Sequence, residues 1–263
     1  MTRFVPAAGV RLAYDVAGAG DPPMVFVHGW CCDRSYFTPQ VTHFSASHTV
    51  ATMDLRGHGD SDRPAPGPGA YDIDVLAEDV LAVAAAAGLR RPVLVGHSLG
   101  ALAGLVCAAR PGAIRALVMV DPAPITNEPA KAFFRDSVAA VAADGDRSWR
   151  TAFVKGMFLP TDAVRRQAII EAVPATAPGI AADVLRAMGE FDGAAVLGGA
   201  TVPVLSIGSA GPANSAADLR QACPAITIGQ TVGSGHFIQL EIPDQVNAMI
   251  ERFLAITGLP AHP

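Results

Sequence analysis

An apolar run, Pro92-Val93-Leu94-Val95, ends in Gly96-His97-Ser98-Leu99-Gly100 and passes into a helix-forming stretch of small residues at 101–110. That order constrains the fold more than any other feature of the chain. A serine at a sharp strand-to-helix turn is pushed out of the sheet, and the N-terminus of the following helix is aimed at it. Glycines two before and two after leave room for strained backbone and for close helix–strand crossing. Gly-x-Ser-x-Gly alone is a weak pattern. A strand before it, a helix after it and matching partners elsewhere give it weight here.

The rest of the chain repeats the same rhythm. Residues 4–6 and 10–16 form two opening strands with Ala8-Gly9 as their turn. Residues 24–27 make a buried strand ending at His28-Gly29-Trp30. Residues 50–53 make another, ending at Asp54-Leu55-Arg56-Gly57-His58-Gly59. Residues 73–88 have helical spacing with Gly88 as a stop signal, and 114–120 form a strand ending at Asp121-Pro122. Short apolar strands alternating with helices predict a parallel sheet covered on both faces. Between 123 and 197 the rhythm breaks. Segments 131–143, 148–158, 163–172 and 179–191 read as four helices punctuated by prolines, and strands resume at 203–207 and near 226–228. A helical block inserted where strands end would lie over the site as a cap. The expected organisation is a core of residues 1–122 and 198–263 with a cap at 123–197.

Composition narrows the function classes. A formal charge of −5 with no Lys/Arg cluster argues against nucleic acid and anionic membrane surfaces as partners. Hydrophobic content is 51%, but much of it is alanine, and no apolar run approaches the ~18 residues of a membrane span. The N-terminal stretch has no apolar signal region, so a cytoplasmic protein is expected. Cys31, Cys32, Cys107 and Cys223 have neither zinc-ligand nor disulfide-framework spacing, and no metal or cofactor is expected. Composition says nothing about oligomeric state.

A serine hydroxyl is a poor nucleophile at neutral pH and needs a base in contact, oriented by a third group. His236, in Val232-Gly233-Ser234-Gly235-His236-Phe237, fits the base: flexible residues lead in, and a closing helix follows from Pro243. His97 adjoins the nucleophile and is expected to pack beside it. Developing charge on an oxyanion needs donors. The backbone N–H of Leu99 is one, and the N–H of Trp30, in the turn after the earlier strand, is the other. Cys31, His97, Trp149 and Phe237 are candidates for the substrate pocket.

Together His28-Gly29-Trp30, Asp54 to Ser61, Gly96 to Gly100 and Gly235-His236-Phe237 resemble the α/β-hydrolase superfamily over nearly the whole chain. The resemblance implies an eight-stranded, mostly parallel sheet, a Ser98/His236 pair, and a structural turn at Asp54–Ser61 whose Arg56 and Asp60 tie loops together. The chain departs from the commonest pattern at the acid. Residues 208–214 read Gly-Ser-Ala-Gly-Pro-Ala-Asn, with no carboxylate until Asp218. Asp121, after the preceding strand, is the substitute. Certain lactonases and cofactor-free ring-cleaving dioxygenases resemble this chain in that placement.

The expected reaction is hydrolysis of a small, largely apolar carboxylic ester or lactone through an acyl-enzyme. Phe133, Phe134, Phe153, Met157, Phe158 and Met188 suit an apolar or aromatic substrate. Two alternatives stay open. One is a cofactor-independent dioxygenase of an N-heteroaromatic substrate, to which Trp149 would contribute. The other is a non-enzymatic receptor on the same fold.

Overall fold

The structure is a computed structural model that describes residues 1–160, 163–172 and 175–259. Eight strands form one sheet: β1 (Arg3–Ala7), β2 (Val10–Ala17), β3 (Met24–Val27), β4 (Val50–Met53), β5 (Val93–His97), β6 (Ala116–Val120), β7 (Val204–Gly208) and β8 (Thr227–Gln230). Their order across the sheet is β1-β2-β4-β3-β5-β6-β7-β8. β2 pairs antiparallel with both neighbours, and every pairing from β4 to β8 is parallel.

Both faces are covered, as parallel strands require. β3 shows the division. Val25 and Val27 join the cluster under α2 (Ile73–Ala86) and α3 (Leu99–Ala108). Met24 and Phe26 face Phe44 of α1 (Thr38–Phe44) on the other side, together with residues of a helix near the C-terminus. Sequence periodicity did not disclose α1 or the 3-10 turn Arg34–Phe37 before it. Seven residues are too few to show a helical stripe.

Between β6 and β7 the chain forms α4 (Glu128–Ala142), α5 (Ser148–Lys155), α6 (Ala163–Ala172), α7 (Pro178–Glu190) and the short α8 (Gly193–Gly198). A buried ion pair ties the start of α5 down: Arg150 Nε donates to Asp144 at 2.7 Å, and both side chains are almost wholly shielded from solvent. The chain closes with α9 (Ala216–Ala222), α10 (Ile238–Glu241) and α11 (Pro243–Ile256). No helix among the described residues is long and apolar enough to cross a membrane.

Register delivers the site. Val27 lies beside Gly96, His97 beside Val120, and Val120 beside Ile207. The residues leaving these four strands therefore emerge next to one another at one edge of the sheet.

Candidate active site

Ser98 follows β5 with φ 51 and ψ −111, a strained conformation for a non-glycine residue. Its amide donates to Val120 O at 3.1 Å, anchoring the turn to β6. The flanking glycines are there because nothing larger fits. A Cβ on Gly96 would come within 2.3 Å of Gly100 O, and one on Gly100 within 2.2 Å of Val27 O. Of the six non-glycine residues with positive φ among the described residues, three gather here: Cys31, Ser98 and Asp121. Strain of this kind persists only where surrounding contacts enforce it, and it collects at functional sites.

Asp121 is held from both sides. Its amide donates to Ile207 O at 2.7 Å, and its Oδ1 accepts from the Ser209 amide at 2.8 Å. The other oxygen, Oδ2, lies 2.6 Å from His236 Nδ1. Hydrogen bonding at Nδ1 leaves Nε2 as the ring nitrogen available for proton exchange. The His236 amide donates to Met157 O at 2.9 Å, a contact from the inserted segment. Asp218, the other carboxylate near this turn, is exposed on α9.

The turn after β3 is pinned by two buried neutral imidazoles. His28 Nε2 accepts from the Leu55 amide, and His58 Nε2 accepts from the Cys31 amide, at 3.0 and 3.2 Å. Their other nitrogens donate to Gly29 O and Arg56 O. Burial drives both titrations down, His28 to about 4 and His58 to about 3. Neutrality is required of them, because a protonated ring could not accept an amide. With the Cys31 amide on His58 and the Cys32 amide on Gly29 O, the Trp30 amide has no acceptor among the described residues. Leu99 opens α3, and a first-turn amide has no partner within its helix.

His97 is buried between these parts. Its Nε2 donates to the His236 carbonyl at 3.2 Å, and its Nδ1 has no partner among the described residues. Burial first, and neighbouring His236 second, hold its titration well below the usual imidazole range.

Ser98, Asp121, His236, His97, Trp30 and Phe237 all line one cavity of about 480 Å³. α4, α5 and α7 supply much of its remaining wall, through Phe133, Phe134, Phe153, Leu185 and Met188 among others. Two expectations need correction. Cys31 does not reach the wall: its positive φ turns it toward Arg150 and Thr176, burial pushes its thiol up to about 12, and Cys32 lines the cavity instead. Trp149 is not in the lining either. It stacks behind Phe153 at 5.1 Å and Phe133 at 6.2 Å, which take the cavity face. The roles of Ser209 and Met157 as backbone partners of Asp121 and His236 went unread because no sequence pattern records a main-chain contact between distant segments. Among the described residues no cluster of three or more His, Cys, Asp or Glu is arranged to hold a metal ion.

Comparison with known proteins agrees with this architecture. The chain is 38% identical over 120 residues to a non-heme chloroperoxidase of Streptomyces lividans, covering 44% of this chain and 42% of that protein. It is 30% identical over 176 residues to the 2-(acetamidomethylene)succinate hydrolase of Mesorhizobium japonicum, covering 64% and 60% respectively. The matches thus span about half the length of these relatives. The enol-lactonase of Burkholderia xenovorans LB400 superposes with a TM-score of 0.83 at 23% identity, over 96% of this chain and all of the other, which is a likeness of fold. The family model described as the alpha/beta hydrolase family matches residues 24–249, from the first strand of the parallel array into the last helix. A match of that extent, on a sheet of this order with a strained serine after β5, makes the chain a member of the alpha/beta hydrolase family.

Proposed function

We propose that the protein is a serine hydrolase that cleaves a small, largely apolar carboxylic ester or lactone. The observation that carries the reading is the Asp121 to His236 hydrogen bond of 2.6 Å in the same cavity as Ser98. Ser98 Oγ attacks the carbonyl carbon while His236 Nε2 takes its proton. Asp121 holds the tautomer and stabilises the imidazolium. The Trp30 and Leu99 amides hold the oxyanion, each such donor contributing about 2.7–4 kcal/mol to the barrier in known cases. His236 returns the proton to the leaving oxygen, and water then clears the acyl-enzyme by the same steps.

The aromatic and aliphatic lining supports an apolar acyl or alcohol group, and the inserted helices act as the cap that supplies it. Relatives bearing hydrolase and lactonase names favour hydrolysis without choosing between ester and lactone. The ring-cleaving alternative drew on Trp149, which stands behind the cavity wall. Incubation with a panel of 4-nitrophenyl esters and lactones, followed by intact-protein mass measurement, tests the reading. An acyl adduct on Ser98 that is absent from Ser98→Ala is the expected result. Turnover retained in Ser98→Ala would overturn it.

A further inference from the structure

The loop that carries His236 is built from residues that do not hold a shape alone. Gly233 and Gly235 flank Ser234 in Val232-Gly233-Ser234-Gly235-His236-Phe237, and glycine gives the backbone its widest freedom. A base must nevertheless be placed to within a fraction of an ångström, since a misplacement of about 1 Å can cost about a hundredfold in rate. Something outside the loop has to supply the order.

Glu241, at the end of α10, reaches back to this loop. Its Oε2 accepts from the Gly235 amide and its Oε1 from the Phe237 amide, both at 2.8 Å. One carboxylate therefore grips the residues on either side of His236. Bonds to an ionised acceptor are shorter and stronger than neutral ones, and two together fix an orientation as well as a position. His236's own amide and carbonyl are engaged by Met157 O and His97 Nε2. With the backbone held at residues 235, 236 and 237, the imidazole has only its side-chain torsions left to set. Asp121 sets those at Nδ1.

We propose that Glu241 is a positioning residue for His236, holding the imidazole against Asp121 by clamping the amides of Gly235 and Phe237. The proposal rests on the reading of His236 as the base, and it also makes a prediction that needs no turnover. A histidine Nδ1–H bonded to a carboxylate gives a strongly downfield proton resonance. That resonance should be present in the wild-type protein, weakened in Glu241→Gln, which keeps one amide acceptor, and absent in Glu241→Ala. Ester hydrolysis should follow the same order, with kcat falling about tenfold or more in Glu241→Ala and KM changing by less than about threefold, because Glu241 does not touch the cavity.

A resonance unchanged in Glu241→Gln and Glu241→Ala overturns the proposal, whatever the rates do. If Glu241→Ala does not fold, the isosteric Glu241→Gln decides the matter alone. A resonance that is present in the wild-type protein and lost in Glu241→Ala, in a protein that hydrolyses no ester, would support the clamp and sink the hydrolase reading, so the two failures are distinguishable.

Discussion

The edge of the sheet and the helices inserted beyond β6 build the same cavity by different means. At the sheet edge nearly every group is held by a directional bond. The Ser98 amide is on Val120 O, the Asp121 amide on Ile207 O, the Asp121 carboxylate on Ser209 N, and the turn after β3 on two neutral histidines. In the inserted helices the cavity wall is held by ring contact. Phe153 stacks on Trp149 and Phe133 and meets Trp30 and Phe134 edge-on. Polar pins tie these helices to one another and to the core, among them the Arg150–Asp144 pair, Arg135 on Gly189 O, Arg186 on Asp72 and the Trp30 Nε1 bond to Ala181 O at 2.8 Å. Hydrogen bonds are directional and weaken as they bend, whereas apolar contacts fix volume and leave orientation looser. On the proposed function, chemistry belongs to the first region and selectivity to the second.

Substitutions test that division, and the largest effects belong to the sheet edge. Ser98→Ala should lower kcat by about 10⁵- to 10⁶-fold with little change in the urea midpoint, since one small hydroxyl is lost. Asp121→Asn should lower kcat by about 10⁴-fold, because an amide favours the wrong histidine tautomer, while Asp218→Asn stays near wild type. The reverse ranking, read from the same ester assay, would assign the acid to α9 and break the comparison.

Effects on stability come next. Arg150→Met strands the buried Asp144 carboxylate and should cost about 3–5 kcal/mol in urea unfolding. A loss below about 1 kcal/mol would mean that ring packing alone holds the inserted helices. The paired histidines give a pH signature. His28 and His58 titrate near 4 and 3 in the folded protein, well below free imidazole at about 6.5. The unfolded chain therefore takes up protons that the folded chain refuses, so stability present above pH 6.5 is lost as pH falls toward 4. Roughly 4 kcal/mol should disappear between pH 7 and 5, measured by urea unfolding. About half of that dependence should vanish in His58→Gln. The smallest expected effect is in the wall: Trp149→Phe should change kcat/KM by less than about threefold, as it supports the lining from behind.

Legibility in the sequence followed the range of the interactions involved. Ser98 was readable because its elbow is local: strand, two glycines and helix lie within 20 residues, and each is needed by its immediate neighbours. The parallel sheet was readable for a similar reason, since strands buried on both faces are nearly continuous apolar runs. Asp121 was named from an absence of carboxylate at 208–214, and the structure places it against His236 across 115 positions of sequence. α1 and the 3-10 turn before it were too short to leave a pattern.

By itself, then, the order of residues determined the sheet, the elbow, the late histidine and the existence of a helical insertion, because each depends on local periodicity or turn chemistry. Tertiary structure alone decided which cysteine lines the cavity, that Trp149 stands behind the wall, and that Met157 and Glu241 hold the His236 loop. The physical reason is the same in each case. A side chain's direction at a positive φ, a ring's place in a stack and a backbone carbonyl's partner are settled by segments far apart in the chain, and no local pattern encodes them.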